Sequence, residues 1–200
     1  MRRKILFFAL IFFTPALLSQ ELKPENLPFK KNIREKIFAG QIFSETHVRN
    51  LNKNTEQSLS FQIAGLHPKS CSYALRTLSL YEDYSRFLSF VKESKYNEQN
   101  KEIDFLISHT LMPYDMRLIF TLPRITAPGT YPFSFEIGLL KNLHGKIHVM
   151  KTDNRCLFYS TANWSGPTTG FNPFVFELFA KTLADLSMEI LFRISSNLSH

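Results

Sequence analysis

The stretch NPFVFELFAKTLADLSMEILFRI, residues 172–194, is the longest segment of the chain with a helical pattern. Asn172 is a residue type that caps helix N-termini, and Pro173 suits the first helical position because its missing N–H needs no partner there. At 3.6 residues per turn, one broad face of this helix is apolar. That face consists of Val175, Phe176, Phe179, Leu183, Leu186, Ile190 and Ile194. The pattern predicts one long helix that covers an apolar surface.

The other side of this helix mixes charged and apolar residues. The charged row consists of Glu177, Lys181, Asp185, Glu189 and Arg193. We interpret this row as solvated, with only weak i, i+4 attractions between neighbouring charges. Four apolar residues lie among the charges: Phe174, Leu178, Met188 and Phe192. Because the apolar surface is wider than one core contact needs, a second packing surface, a ligand or a peripheral membrane contact would cover these four residues.

The chain before this helix is dominated by segments with the two-residue period of β-strands. About seven strands are predicted, and they lie at residues 40–49, 59–66, 103–112, 116–122, 131–139, 143–149 and 156–162. Two short helices, at residues 71–79 and 82–88, are predicted between the second and third strands, and residues 164–170 are predicted as a loop. Short links between consecutive strands favour an α+β fold with one curved antiparallel sheet that wraps the long helix.

The N-terminal segment has the pattern of a secretory signal peptide. Residues 1–4, MRRK, are basic, and the apolar run at residues 5–13 is short for a membrane span. Ala16 and Ser19 are candidate last residues of a peptide that covers residues 1–20. The pattern predicts export to a periplasm or to the outside of the cell, and an uncleaved anchor is the alternative.

The charge of the chain gives little support to nucleic-acid binding. The 200 residues carry 24 Lys and Arg against 17 Asp and Glu, a net charge of +7. Without Arg2, Arg3 and Lys4 of the signal peptide, the excess falls from 7 to 4. The remaining basic residues are scattered rather than clustered with aromatic residues, so we expect no nucleic-acid partner.

The chain has two cysteines, Cys71 and Cys156. An exported chain can oxidise such a pair to a disulfide, which would stabilise the fold by about 4 kcal/mol if the geometry allows it. Two buried free thiols that behave as small apolar residues are the alternative. The sequence leaves both open.

Residues 78–91, LSLYEDYSRFLSFV, resemble a stretch of the START-like or SRPBCC superfamily, which includes polyketide-cyclase-like and coenzyme-Q-binding proteins. The stretch in that family has the pattern Leu-x-Asp-Tyr-x-x-Tyr-Pro-x-Phe-Leu-Pro-x-Val. Leu80 stands here in place of the usual Asp, and Ser85 and Ser89 stand in place of the prolines. Residues 112–117, MPYDMR, are also similar to a turn of the family that an arginine follows.

The resemblance implies a helix-grip fold of the START and Bet v 1 type, with a deep apolar cavity between the sheet and the C-terminal helix. It assigns residues 21–39 to an N-terminal lead-in, residues 40–195 to the domain and residues 196–200 to a polar tail. It does not fix an activity, because the family includes lipid carriers, hormone receptors, cyclases and subunits that bind other proteins. No cofactor is expected, and the oligomeric state is left open.

The resemblance and the strand pattern together give a set of candidate cavity residues. His109 would hydrogen-bond a ligand or act as an acid or base, and Arg117 or Glu136 would anchor a polar head group. A histidine satisfied inside the core and charges that face outward are the alternatives. The full candidate set is Phe105, His109, Arg117, Phe133, Phe135, Glu136, Phe158, Trp164, Val175, Phe179, Leu183, Leu186 and Ile190.

Motifs for other chemistry are absent from the sequence. There is no Gly-rich phosphate loop, Gly-x-Ser-x-Gly elbow or Cys-x-x-Cys pair. His144 and His148 would share a strand face but lie about 13 Å apart, too far for one metal. Three hypotheses follow: a non-catalytic protein that binds a lipid or another hydrophobic small molecule, a cyclase-like or hydrolase-like enzyme that uses His109 or Glu136, and a protein-interaction module.

Overall fold

The computed structural model of the protein describes residues 22–110 and 115–197. Residues 1–21, 111–114 and 198–200 lie outside these ranges. They include the predicted signal peptide, part of the predicted turn at residues 112–117 and the end of the polar tail. The strands are β1 (Phe43–Leu51), β2 (Glu56–His67), β3 (Val91–Asn97), β4 (Glu102–Ile107), β5 (Met116–Thr121), β6 (Gly129–Ile137), β7 (His144–Thr152) and β8 (Arg155–Pro167). The α-helices are α1 (Lys31–Phe38), α2 (Cys71–Leu78), α3 (Tyr84–Phe87) and α4 (Pro173–Asn197). Turns of 3₁₀ helix occupy Pro24–Asn26, Asn52–Asn54 and Tyr81–Asp83.

The strands form one antiparallel sheet in the order β1-β2-β8-β7-β6-β5-β4-β3. All neighbours in the sheet are consecutive in the chain except β2 and β8, which pair from Glu56 opposite Pro167 to His67 opposite Cys156. The pairing of β2 with β8 therefore joins the first hairpin to the rest of the sheet. With the long helix α4 beside it, this sheet confirms the predicted α+β helix-grip class.

Strand β3 raises the strand number from the predicted seven to eight. It is an edge strand, its sequence VKESKYN holds three charges, and only Val91 in it is buried. Charged side chains are common on edge strands because they discourage pairing with other chains. A strand with so few apolar residues has no hydrophobic alternation, and the sequence pattern missed it for this reason.

Two predicted strand ends also differ from the structure. Strand β4 ends at Ile107, five residues before the predicted end of that strand at residue 112. Strand β8 extends to Pro167 and includes Trp164, which was predicted to lie in a loop. The extension follows from pairing with β2, where Trp164 lies opposite Leu59. Pairing with the long strand β2 thus keeps β8 extended as far as its Gly-Pro sequence, which would otherwise favour a turn.

The lead-in packs on the face of the sheet that we call the outer face. Ile37 of α1 is fully buried, together with Leu27 and Phe29 of the preceding segment. These residues contact alternate residues of β2, β7 and β8: Ala64, Leu66, Met150, Leu157 and Tyr159. The sequence predicts no element here, because eight residues of mixed polarity carry a weak helical pattern.

Helix α4 packs on the opposite face, which we call the inner face, and confirms the predicted long terminal helix. Its first turn is capped by Asn172, whose Oδ1 accepts a hydrogen bond from the Phe174 N–H at 2.9 Å. The helix has 25 residues. Within residues 22–110 and 115–197, no helix, including this one, has the length and apolar character that a membrane span requires.

Two members of the charged row of α4 contact the edge strand β1. The interpretation as a solvated row is wrong for the partly buried Glu177, while Lys181 remains exposed. Glu177 Oε2 accepts a hydrogen bond from the Val48 N–H at 3.0 Å, and Lys181 Nζ donates to Ser44 Oγ at 2.8 Å. Lys181 also pairs with Asp185 at 2.7 Å. The reason is that an edge strand has backbone groups without strand partners, which polar side chains can satisfy.

Cys71 and Cys156 form a disulfide. It joins the first residue of α2 to the start of β8 and closes a loop with a sequence separation of 85 residues. Both cysteines are buried, and the bond between them rules out the alternative of two free thiols. The disulfide holds α2 against the sheet at the edge of the inner face.

Candidate functional site

A cavity of about 310 Å³ lies between the inner face of the sheet and helices α2 and α4. Its volume is at the lower end of the range for small-molecule sites in proteins. The floor is formed by residues of the sheet: Phe61, Ile63, Ile103, Phe105, Phe120, Ile147, Phe158 and Ser160. Leu75 and Leu78 of α2, Tyr81 and Tyr84 after it, and Leu122 and Ile125 after β5 form the side walls.

Strand alternation determines which residues form the floor. Phe158 and Ser160 of β8 face the cavity, whereas the side chains of Leu157 and Tyr159 contact the outer-face cluster, although Tyr159 also borders the cavity. Ser160 lies opposite Ile63 of β2 and opposite Ile147 of β7. Its hydroxyl is therefore flanked by apolar side chains on both neighbouring strands.

Helix α4 forms the roof of the cavity. Its lining residues are Ala184, Ser187, Met188, Leu191 and Phe192. Gly65 of β2 allows the close approach of this helix, because a Cβ at that position would lie 2.5 Å from Met188 Sδ. The residues that line the roof thus come from the C-terminal half of the helix. Two of them, Met188 and Phe192, belong to the side of the helix on which the sequence places the charged row.

The predicted inward face of α4 is rotated relative to the observed one. Val175 and Leu186 are 44% and 36% exposed, so the prediction that they face inward is wrong. Phe179, Leu183 and Ile190 are partly buried against the main core, outside the cavity lining. The physical reason is that apolar residues surround most of this helix, so periodicity alone does not fix its rotation. The contacts of Glu177 and Lys181 with β1 fix the rotation of the helix.

The apolar residues among the charges of α4 divide into two pairs. Met188 and Phe192 line the cavity, while Phe174 and Leu178 near the start of the helix are 72% and 49% exposed. The four residues therefore do not form one continuous surface for a partner. Of these four residues, Phe174 and Leu178 are the pair that remains accessible on the outside of the protein.

Three of the predicted aromatic residues, Phe105, Phe158 and Trp164, are buried, and two of these line the cavity. Phe105 and Phe158 are lining residues. Phe135 stacks on Phe120 with ring centroids 4.7 Å apart, and Phe133 lies beside it. Trp164 packs against Phe176 and donates its indole N–H to the Lys141 carbonyl at 3.0 Å. These residues contribute to the core around the cavity.

The predicted charged and titratable residues lie outside the cavity lining. Arg117 is on the outer side of β5 and pairs with Asp104, with 2.8 Å between Nε and Oδ1, and this hydrogen bond lowers the pKa of Asp104. Glu136 is exposed and accepts a hydrogen bond from Ser134 Oγ at 2.6 Å. The His109 ring lies 6.3 Å from the Phe179 ring. None of these residues lines the cavity, and each described residue that does is uncharged.

The two tyrosine hydroxyls of the side wall are occupied by the fold itself. Tyr81 donates to the Pro123 carbonyl at 3.2 Å and accepts from the Ile125 N–H at 3.1 Å. Tyr84 donates to the Leu78 carbonyl at 2.7 Å. Burial raises the pKa of both tyrosines far above its usual value. They remain neutral at physiological pH and act as fixed parts of the wall.

Arg124 closes the side of the protein behind Tyr81. Its guanidinium lies 4.4 Å from the centroid of the Tyr96 ring and donates to the Ser79 carbonyl at 2.6 Å. It also pairs with Glu82 at 3.1 Å and with Glu98 at 2.5 Å. The sequence did not single out Arg124, since its partners come from three separate segments. Its role is to fix the segment between α2 and β3.

His67 is a buried residue that the sequence interpretation missed. It is fully buried, and its Nδ1 accepts a hydrogen bond from the Lys69 N–H at 3.1 Å. The other ring nitrogen, Nε2, is 3.0 Å from Ser195 Oγ, and the ring packs against Phe192. Burial lowers the pKa of His67, so the neutral form is favoured. His67 therefore connects the end of β2 to the C-terminal end of α4.

No cluster of three or more His, Cys, Asp or Glu residues that could hold a metal occurs in the described part of the chain. His148 packs on the Tyr159 ring and shares a hydrogen bond of 2.9 Å with Thr130. His144 hydrogen-bonds the Asn142 carbonyl at 3.1 Å. The contacts of both histidines are thus local to the surface of β6, β7 and β8.

Comparison with known proteins identifies the fold. No protein-family profile matches the sequence, and no curated protein matches it either. Among solved structures, a conserved protein from Geobacillus kaustophilus is similar with a TM-score of 0.57 and 13% identity, over 70% of this chain and 97% of that chain. Ara h 8.0201 is similar with a TM-score of 0.55 and 10% identity, over 70% of this chain and 99% of that one.

A START superfamily protein from Mycobacterium smegmatis is similar with a TM-score of 0.52 and 11% identity, over 80% of this chain and all (100%) of the other. At such identities the likeness concerns the fold alone. The protein therefore has a START-like, SRPBCC-type fold, as the resemblance of residues 78–91 implies. Both the sequence motif and the structural comparison lead to the same fold class.

Proposed function

We propose that the protein is a non-catalytic binding protein that holds a lipid or another hydrophobic small molecule in the cavity beneath α4. The observation that carries this proposal is the cavity of about 310 Å³ whose described lining is uncharged and mostly aromatic or aliphatic. Moving apolar ligand surface from water into such a site is favourable by about 25 cal/mol per Å². The START-like fold supports the same class of ligand, since proteins with this fold include lipid carriers.

The alternative of a cyclase-like or hydrolase-like enzyme has less support. Acid or base catalysis requires a titratable group within hydrogen-bond reach of the substrate. His109 and Glu136, the two candidates, are not among the residues that line the cavity. The tyrosines of the wall have raised pKa values and already donate their protons to backbone carbonyls. Binding without chemistry is the simpler use of this site.

We also propose that the protein is exported. The support is the basic and then apolar pattern at residues 1–20, together with the disulfide between Cys71 and Cys156. Disulfides persist mainly in oxidising compartments outside the cytosol. N-terminal sequencing of the mature protein from its own host tests this proposal. A new N-terminus after Ala16 or Ser19 is expected, and a cytosolic protein that retains residues 1–20 would contradict export.

Binding is tested by native mass spectrometry of the purified protein and by thermal shift with a broad panel of lipids and other hydrophobic molecules. We expect either a retained ligand or a concentration-dependent rise in melting temperature, because a ligand that binds only the folded state stabilises it. The absence of both across the panel would refute the proposal.

A matched pair of variants tests the place of binding. In Ala184→Phe the new ring would fill the cavity from the roof, and we expect ligand binding to be lost. Leu186→Phe adds similar bulk to an exposed position two residues further along the helix and is expected to bind as the wild type does. Equal binding by both variants would place the ligand elsewhere on the protein.

A further inference from the structure

The chemical class of the ligand follows from the polar groups of the cavity, and this inference rests on the proposed binding function. Five described lining residues carry a hydroxyl group: Tyr81, Tyr84, Tyr159, Ser160 and Ser187. The Tyr159 ring contacts the outer-face cluster, and its hydroxyl donates to Gln62 Oε1 at 3.3 Å, which leaves four hydroxyls on the cavity side. A ligand can use only a hydroxyl that the fold has not already committed. The hydrogen-bond donors of these four residues therefore decide where a polar atom of the ligand can be bound.

Three of the four hydroxyls already donate to backbone carbonyls. Tyr81 and Tyr84 donate to Pro123 and Leu78, as described above. Ser187 Oγ donates to the Leu183 carbonyl one turn earlier in α4, at 2.5 Å. Each of these side chains has its proton engaged. None of the three is a free donor for a ligand.

Ser160 differs from the other three. Within residues 22–110 and 115–197 its hydroxyl makes no hydrogen bond. The residue is partly buried and lines the cavity, so a ligand can reach the hydroxyl. It lies on the floor between Ile63 and Ile147, with Phe158 on the same strand face. A hydroxyl in apolar surroundings costs free energy unless it finds a partner. A ligand oxygen next to Ser160 would supply that partner.

The same surroundings exclude a charged group at this position. A carboxylate or an ammonium group beside Ser160 would be out of water with no counter-ion, since each described lining residue is uncharged. Burial of an unpaired charge costs several kcal/mol, more than one serine hydroxyl returns. Arg117 and Glu136, the predicted anchors for head groups, face outward. The polar atom of the ligand must therefore be neutral.

The volume limits the size of the part that the cavity encloses. The volume of about 310 Å³ is at the lower end of the range for small-molecule sites in proteins. This is the size of one medium-length hydrocarbon chain or of a small ring system. Two acyl chains of a phospholipid would not be enclosed together.

We propose that the cavity binds a neutral, oxygen-containing hydrocarbon of medium length, an alcohol, ketone or ester, whose oxygen accepts a hydrogen bond from Ser160 Oγ. The apolar part of this ligand lies against the roof at Met188, Leu191 and Phe192. The ligand is thus recognised by one donor in the floor and by apolar contact on all other sides.

Isothermal titration calorimetry with decanol, decanoate and decane on the full mature chain tests this inference. Decanol is expected to bind at least about tenfold more tightly than decanoate, because the carboxylate would be buried without a partner. Hexadecanol is expected to gain little over decanol, since its additional carbons would lie outside the cavity.

Two serine variants locate the hydrogen bond. Ser160→Ala is expected to weaken decanol binding about tenfold while decane binds equally well or better, since one hydrogen bond inside an apolar site is lost. Ser196→Ala removes a hydroxyl from the same helix outside the cavity, one that donates to the Arg193 carbonyl at 2.9 Å, and it is expected to leave the decanol affinity unchanged. Circular dichroism checks that both variants are folded.

The possible outcomes separate this inference from the proposed function. Equal binding of decanol and decanoate, or equal effects of the two serine variants, would overturn the neutral ligand and the role of Ser160 while the binding function stands. If decane, decanol and decanoate all fail to bind while another molecule of the broad panel binds, the inference is wrong and the binding function stands.

Discussion

The two faces of strands β2 and β8 are covered in different ways. On the outer face, Leu157 and Tyr159 are buried directly beneath the short segment that ends in α1, and Leu157 is 0% exposed. On the inner face, Phe158 and Ser160 line a cavity although a helix of 25 residues lies above them. The supply of apolar residues does not explain this difference, because the inner face has more of them.

Polar anchors at the two ends of α4 explain the difference. Glu177 and Lys181 hydrogen-bond to β1 near the start of the helix, and Ser195 hydrogen-bonds to His67 near its end. Helix α4 is thus fixed at both ends, and the segment between them spans the cavity rather than collapsing into it. The outer-face segment has a close apolar contact along its length and no such span. Polar contacts near both ends of α4 thus accompany the cavity beneath its C-terminal half.

The largest effect is expected from removal of the disulfide. This bond tests the comparison of the two faces because it joins Cys71, which begins α2 on the cavity side, to Cys156, which is next to Leu157 of the outer face. A Cys71→Ala, Cys156→Ala double variant is expected to lose about 4 kcal/mol of unfolding free energy, measured by urea denaturation. Hydrogen exchange should increase first in α2, on the cavity side. Earlier exchange in α1, on the outer face, would contradict the assignment of α2 to the less stable side.

A pair of leucine variants compares the two faces directly. Leu157→Ala is expected to cost about 3 kcal/mol, since a fully packed side chain is removed from the outer face. Leu191→Ala in the roof is expected to cost about 1 kcal/mol, because one side of Leu191 already faces the cavity. Urea denaturation measures both. Equal losses would show that the inner face is packed as tightly as the outer one.

The anchor at the end of α4 gives a pH-dependent prediction. His67→Ala is expected to cost about 2 kcal/mol at neutral pH through the lost hydrogen bonds and packing. Burial lowers the pKa of His67 in the folded state below its ordinary value of 6.5. The unfolded chain therefore binds the proton first, and stability should fall as the pH decreases below about 6.5.

This part of the pH dependence should be smaller in His67→Ala, as urea denaturation between about pH 7 and pH 5 would reveal. His144→Ala is the control, because His144 is exposed and hydrogen-bonds the Asn142 carbonyl rather than a residue of α4. An unchanged pH profile in His67→Ala would mean that the His67 anchor does not titrate in this range.

The smallest effect is expected at the other anchor. Glu177→Ala removes the acceptor for the Val48 N–H and is expected to cost about 1 kcal/mol in urea denaturation. Glu189→Ala, at an exposed position of the same helix, is expected to change stability by less than about 0.5 kcal/mol. If both variants are equally stable, the contact with β1 does not hold the start of α4.

Much of the fold was predictable because its signals are local. The helix that begins at Pro173 follows from its cap and its apolar period, and the β-strands with alternating side chains follow from a period of two. The resemblance of residues 78–91 implies the same fold class that the structure has. The edge strand β3 and the lead-in helix α1 escaped, because their apolar patterns are weak and the neighbouring chain segments determine their conformation.

The candidate site was only partly predictable, and Phe105 and Phe158 are the two predicted residues that line the cavity. Strand alternation placed these two side chains correctly once the sheet was assumed. For Arg117, Glu136, Val175 and Leu186 the same pattern left two faces to choose from, and the structure places them outside the cavity. Ser160 gave no signal at all, since a single serine in a strand has no pattern.

The sequence by itself determined the order of the elements, the long terminal helix, the aromatic character of the strands and the presence of two cysteines that can pair. These properties depend on residues close together in the chain. Only the tertiary structure decided which side of α4 faces the sheet, that His67 and Glu177 hold its two ends, and that an uncharged cavity with Ser160 in its floor lies beneath it. The physical reason is that these features arise between residues more than a hundred positions apart, whose meeting no local period encodes.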